Sequence, residues 1–283
     1  MLYYNQPNIY YEVFMTQKNT RLLRALARML AIILIFSMGL VGCDNSGSKK
    51  DDSKDKQNEA QETVAKKNKS TKSKDSGKKR VAITYDDGPH NVRTNAIVDE
   101  LEKYGFNATF FVVGNRVDGT VYNGKKAVKY AAEKGNEIAI HAYTHDAYYD
   151  TCSKARYNEE LDNTFEAIRS VLPKAQVKLM RPVGGRITDE RVESCEYSVI
   201  MWSVDSNDWK YKGDGEEGVD AIVENVTSQV KDGSIILMHD IYENTYLATK
   251  EILKWLDDEG YEVVTVSELL GNPKAGVKYS KET

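Results

Sequence analysis

The chain has 283 residues, a formal net charge of −4 and 29% charged side chains. That length allows one large domain or two small ones. The near-neutral balance gives no reason to expect nucleic acid as a partner.

The N-terminus is the first element. Residues 29–41, MLAIILIFSMGLV, form an uncharged apolar run preceded by Arg21, Arg24 and Arg28. The run is short for a membrane span and suits the core of a signal peptide. It ends in Leu40-Val41-Gly42-Cys43, which resembles a bacterial lipobox, where the chain is cut before a cysteine that then carries lipid. A plain membrane anchor that happens to end in cysteine is the other reading. The expected signal spans residues 1–42, with Met15 a possible true start. From residue 43 to 79 the composition falls to Lys, Asp, Ser, Asn, Gln and Glu, with Ala60, Val64 and Ala65 the only apolar side chains after Cys43. Such a segment buries too little to offset its ordering entropy and reads as a disordered tether with a reach of about 35 Å. The lipid anchor implies a protein held on the outer face of the cell membrane.

The folded part, residues 80–272, alternates strands and helices and is followed by a tail over 273–283. The first strand is predicted over 80–85. A helix over 91–104 carries Ile97, Val98 and Leu101 on one face and ends at Gly105. Strands over 108–113 and 136–140 flank a helix over 125–134. A long amphipathic helix over 156–172, with Leu161, Phe165 and Ile168, stops at Pro173. Strands follow over 176–180, 198–204, 234–238 and 261–266, and helices over 189–195, 219–230 and 245–257. About seven βα units point to a parallel sheet covered by helices, and to a barrel more than an open sheet. Neither G-x-G-x-x-G nor a P-loop follows any strand, which weakens a nucleotide-binding reading. Cys152 and Cys195 are free to pair outside the cell or to remain thiols.

The unusual polar residues gather at the predicted strand ends, where parallel barrels carry their sites. Asp86 and Asp87 follow the first strand, in TYDDGPH. His141 and His145 follow the third, Arg181 the next, then Asp205, and His239 follows SIILM. Two histidines four apart plus a carboxylate form a common zinc set with an open position for water. A cation removes the repulsion between the two adjacent aspartates, so that one can ligate while the other acts as base. A solvated Asx turn is the bland alternative. Arg181 can fork onto a carboxylate, and Asp205 can accept the His239 N–H and raise its basicity, unless these two simply form a structural ion pair. Trp202, inside an apolar strand, reads as core. Trp209, in a loop, reads as a ring that stacks on a sugar or lines a pocket.

Five stretches together resemble the motifs of the polysaccharide deacetylases, the NodB-homology or carbohydrate esterase family 4 domain. TYDDGP resembles the first, HAYTH the second, RPVGG the third, DSNDW the fourth and LMHD the fifth, in the family's order over residues 78–270. The resemblance implies a distorted (β/α)7-type barrel with parallel strands and metal-dependent removal of acetyl groups from a glycan. It implies Asp86 as base, Asp87, His141 and His145 as ligands of a divalent metal (zinc first, cobalt or another ion otherwise), and His239 as acid. Arg181 orients Asp86, Asp205 tunes His239, and Trp209 and Leu237 wall the acetyl pocket. The sequence departs from the family at Ala142, where a hydroxyl that steadies the histidine loop is usual, and by a small change at Tyr85. It also departs at Val183 and at Gly184, where an aromatic that flanks the sugar is usual. Gly184 still offers a backbone N–H to a developing oxyanion. The expected substrate is a cell-wall glycan, peptidoglycan N-acetylglucosamine first, and the expected state is a monomer. The alternatives are an O-acetyl esterase on xylan-like polymer, a deacetylase of chitin-like polymer, and a catalytically silent glycan-binding module.

Overall fold

The structure, a computed structural model, describes residues 77–119 and 124–281. The apolar run, Cys43 and nearly all of the tether lie outside the described residues, so the signal, lipidation and tether expectations have no structural counterpart.

The elements are β1 (Lys79–Asp86), α1 (Arg93–Tyr104), β2 (Thr109–Val113), α2 (Gly114–Asp118), α3 (Gly124–Glu133) and β3 (Glu137–Ala142). Then come α4 (Lys154–Val171), β4 (Leu179–Met180), a 3-10 turn (Val183–Gly185), α5 (Asp189–Glu193), β5 (Ser198–Ile200) and β6 (Val204–Asp205). The chain closes with α6 (Gly215–Thr227), β7 (Ile235–His239), α7 (Glu243–Asp258), β8 (Tyr261–Val263), α8 (Val266–Leu270) and β9 (Lys278–Tyr279). The sheet order is β6-β7-β1-β2-β3-β4-β5-β9, with β8 paired to the base of β1. Every ladder between these strands is parallel.

Side chains alternate across a strand, so each strand feeds two layers. Val81, Ile83 and Tyr85 of β1 point outward and pack with Ile97, Leu101, Ile252 and Leu253 of the covering helices. Ala82, Phe111, Ala139, Leu179, Ile200 and Ile235 form a smaller inner layer, one from each of six strands. Continuing each strand two or four residues along that inner face reaches Thr84 and Asp86, His141, Arg181, Trp202, and Leu237 and His239. Period-two geometry alone thus delivers the polar residues to one end of one concave surface. Val266 and Leu269 of α8 belong to the same inner layer.

Four expectations need correction. The predicted strand over 198–204 is two strands: β5 pairs with β4 and β9, whereas β6 pairs with β7. Between them the fully buried Arg181 donates from Nε to Ile200 O (3.0 Å) and from Nη2 to Met201 O (3.0 Å). Carbonyls taken by a guanidinium do not serve a closing ladder, and no pairing joins β5 to β6 among the described residues. The expected (β/α)7 barrel is therefore a curled, open half-barrel. The predicted last strand, 261–266, ends at Val263 because Thr265 caps α8: its hydroxyl accepts from Glu268 N while the Glu268 carboxylate accepts from Thr265 N. The segment read as a tail adds β9 to the sheet beside β5.

Candidate active site

The register of β1 against β7 sets Asp86 directly beside His239. In a parallel pair, residues in register share a face. Arg181 follows β4, and its N–H donates to Ile140 O at the end of β3, one residue before His141. Four strand ends thus converge within a few ångströms.

Asp86 is buried and its Oδ1 accepts from Arg181 Nη1 at 2.8 Å. The same nitrogen reaches Thr84 Oγ1 at 2.7 Å. Phe111 lies under the guanidinium, 4.2 Å from ring centroid to Cζ. With Nε and Nη2 tied to backbone carbonyls, the guanidinium cannot swing, and it holds Asp86 in one orientation. Removing one partner of so buried a pair costs about 3–5 kcal/mol.

Asp87 turns the other way. Its φ of 70° lies in the left-handed region, as does that of His145 at 66°. Such strain, of order 1–3 kcal/mol per residue, persists where surrounding contacts impose it. Asp87 Oδ1 lies 3.0 Å from His145 Nε2 and 3.4 Å from His141 Nε2. His141 Nδ1 is 2.8 Å from Arg181 O, a carbonyl that only an N–H can satisfy. In the neutral ring Nε2 then bears a lone pair, aimed at a carboxylate oxygen that has no hydrogen-bond donor. Converging acceptors with no proton between them fit a cation, and one ligand atom from each of the three residues lies within 4.8 Å of the others. Burial works against the Asp87 charge, but with Nε2 protonated the two imidazoles donate to the carboxyl and hold it well below its usual range, and a cation takes the place of those protons.

Across the mouth, His239 is gripped by Asp208. Nδ1 lies 2.7 Å from Asp208 Oδ1, and the His239 backbone N–H donates to Oδ2, also at 2.7 Å. Asp208 is fully buried and accepts further from Thr245 Oγ1 (2.6 Å) and Trp209 N (2.8 Å). Burial disfavours the imidazolium, but Asp208, then Asp86 and Asp87, outweigh it and raise the His239 pKa to about 9. Asp205, expected in this role, does something else: its Oδ1 accepts from Asn207 N at 2.8 Å and forms an Asx turn. Asn207 is left-handed (φ 55°), which reverses the chain and brings Asp208 back over His239. The Asp-x-Asn turn in DSNDW was the available signal for looking beyond the strand end.

The remaining expected positions are at the same mouth. Leu237 lies on the inner face of β7, in register with Thr84. Trp209 is 47% exposed. Trp202 is partly buried against the inner core. Gly184 adopts φ 59°. A Cβ on it would lie 3.4 Å from the Tyr148 ring, so Tyr148 occupies the neighbourhood of the missing aromatic. Tyr148 is 47% exposed and lies under the Arg186 guanidinium, 4.2 Å away, which is in turn paired with Asp150 (2.9 Å). Gly88 has no room for a side chain, because a Cβ would sit 2.2 Å from Asp240 Oδ1. Asp240 is itself buried, and desolvation pushes its pKa up to about 7 against the opposing Thr94 hydrogen bond. His90 caps α1, its Nδ1 accepting from Val92 N and Arg93 N at 3.2 Å. Cys152 and Cys195 are free thiols.

The polysaccharide deacetylase family model matches residues 73–199. A peptidoglycan-N-acetylglucosamine deacetylase of Bacillus cereus is 34% identical over 202 residues, covering 68% of this chain and 88% of the relative. The chain belongs to the polysaccharide deacetylase family. The peptidoglycan-N-acetylmuramic acid deacetylase PdaC of Bacillus subtilis is 37% identical over 195 residues, 69% of this chain and 39% of that protein. This chain thus spans about two-fifths of the length of PdaC and of the peptidoglycan-N-acetylglucosamine deacetylase PgdA of Listeria monocytogenes. Among solved structures, a family 4 acetyl xylan esterase from Clostridium thermocellum, in complex with a cobalt ion, aligns with a TM-score of 0.64. It is 28% identical, over 72% of this chain and 98% of that one. The family is metal-dependent, and in this member the cluster that fits a cation is Asp87, His141 and His145.

Proposed function

We propose that this polysaccharide deacetylase is a zinc-dependent hydrolase that removes N-acetyl groups from peptidoglycan N-acetylglucosamine, acting as a monomer. The observation that carries the reading is the division of labour at the strand ends: an acceptor cluster that fits a cation lies next to an arginine-held carboxylate, which is itself in register with an aspartate-held imidazole.

Asp87, His141 and His145 would hold a divalent ion, which would supply Lewis-acid chemistry to an acyl carbonyl and a water. Asp86 is the group placed to accept a proton from the attacking water, and Arg181 keeps its carboxylate aimed inward. Gly184 N–H is the candidate donor to the charge that builds on the acyl oxygen. His239, charged at neutral pH and fixed at Nδ1, has Nε2 for delivering a proton to the departing amine. Acetate and a glycan bearing a free amine are the products. The exposed rings of Tyr148 and Trp209 offer apolar faces for sugar rings.

Acetate release tests this directly. Wild-type protein with zinc should release acetate from N-acetylated peptidoglycan strands and lose that activity on chelation. Equal release from acetylated xylan with none from peptidoglycan would transfer the reading to an O-acetyl esterase. No release from xylan, chitin oligosaccharides or peptidoglycan, with sugar binding retained, would make it a glycan-binding module.

A further inference from the structure

We infer that Glu160 is a positioning residue for the metal site: it clamps the loop after His141 so that the His145 imidazole faces Asp87 beside that of His141. This rests on reading Asp87, His141 and His145 as metal ligands. Glu160 lies on α4, outside every motif that carried the functional reading, and it is 1% exposed. A carboxylate is almost never so buried unless its oxygens are satisfied.

All of the acceptor capacity seen at Glu160 goes to one loop and one arginine. Oε2 accepts from Tyr143 N at 2.7 Å and from Thr144 N at 2.9 Å. Oε1 accepts from Thr144 Oγ1 and pairs with Arg156 Nη2, each at 2.7 Å. Arg156 Nη2 also reaches Thr144 Oγ1 and Asp146 Oδ1, both at 2.8 Å, so the clamp runs on past His145. β3 ends at Ala142, so the N–H groups of Tyr143 and Thr144 have left the ladder and need another acceptor. Ala142 has no hydroxyl to help.

The loop also contains a conformation that must be imposed. His145 has φ 66° and lies one residue beyond the clamped Thr144. His141 is held independently, by its ring contact with Arg181 O and by Tyr149 Oη donating to His141 O at 3.1 Å. The residue whose position depends on Glu160 is therefore His145. A ligand held in place before the cation arrives binds more tightly than one that must be ordered on binding.

The test is a zinc titration of metal-free protein against a chromogenic chelator, with melting curves of the same samples. In Glu160→Gln one oxygen becomes an NH2, which cannot accept, so one side of the clamp is lost. Zinc Kd should rise by roughly 10–100-fold, the range seen for residues that orient metal ligands. The metal-free variant should still melt cooperatively. Wild-type zinc affinity in a folded Glu160→Gln protein overturns the inference. Should that variant not fold, Arg156→Met keeps both backbone hydrogen bonds and frees only the Oε1 side. It should bind zinc measurably more weakly, and unchanged affinity would equally overturn the assignment. Failure of the wild-type protein to bind zinc at all would remove the metal reading itself, and the inference with it.

Discussion

Adjacent aspartates at the end of β1 are an electrostatic liability unless their environments differ, and here they do. Asp86 faces a buried guanidinium, and Asp87, in a left-handed conformation, faces two imidazoles. Equal substitutions should then fail differently. Asp87→Asn should weaken metal affinity by more than the roughly 10–100-fold typical of outer partners, with activity returning in part at high metal. Asp86→Asn should bind metal nearly normally and lose about 10²–10⁴-fold in turnover, with no rescue. Metal content and acetate release across a metal titration read both, and identical behaviour would end the division of labour. His239 gives a pH prediction. It acts as an acid while protonated, so turnover should fall as pH rises towards 9, and sooner with a cation at Asp87 cancelling part of the field. Asp208→Asn should shift this alkaline limb down by roughly 1–3 units, whereas Asp205→Asn should leave it in place. A pH–rate profile of each variant decides between the two aspartates. The sign for stability follows: the folded pKa exceeds the ordinary 6.5, so the contribution of His239 is complete below pH 6.5 and is lost as pH rises to about 9.

At the level of elements, the departures from a simple βα repeat matter most. The break between β5 and β6 opens the half-barrel where Arg181 spends its donors, so the opening and the orientation of Asp86 have one cause. At the other end, α8 contributes Val266 and Leu269 to the inner layer, in a cluster with Ala82 and Phe111. Glu137, mostly buried at the start of β3, joins this end by accepting hydrogen bonds from Thr109 Oγ1 (2.8 Å) and Ser267 N (3.2 Å). Leu269→Ala removes three carbons from a side chain that is 1% exposed. It should cost about 2–5 kcal/mol of stability without changing zinc affinity, because Leu269 lies far along the strands from the ligands. Denaturant melts and a zinc titration would check both halves, and an equal loss of zinc affinity would show that the two ends of the inner layer are coupled.

At the level of the whole molecule, we propose that the catalytic domain works on a lipid anchor at the outer face of the cell membrane, which would place a cell-wall glycan within reach. The support is sequence alone: the apolar run, Leu40-Val41-Gly42-Cys43, and the Lys-, Asp- and Ser-rich stretch that follows. Grown with labelled fatty acid in a lipoprotein-competent bacterium, the full chain should carry label and fractionate with membranes. Cys43→Ser should carry none and remain uncleaved. Equal membrane association of both forms, with no cleavage of either, would favour a plain apolar anchor.

Much of this protein is legible in one dimension. Strand–helix alternation, the two-residue period along each strand and the position of Asp86, His141, Arg181 and His239 at strand ends follow from local pattern, because a side chain's face in a strand is set by counting. The five motif stretches, in order, are likewise a one-dimensional signal. What the sequence could not decide are pairings set by a change of chain direction. Asp205 ends a strand and Asp208 does not, yet the left-handed turn at Asn207 hands the imidazole to Asp208. Strand pattern runs unbroken through residues 198–204, yet the Arg181 guanidinium, just past β4, takes two carbonyls there, and β5 and β6 pair with different neighbours. Glu160 reads as one more charge on an amphipathic helix until the fold sets α4 against the histidine loop. Hydrophobic period and turn chemistry act over a few neighbours and are visible in sequence. The partner of a buried charge is chosen by whichever donor the packed chain brings within 3 Å, and only the tertiary structure decides that.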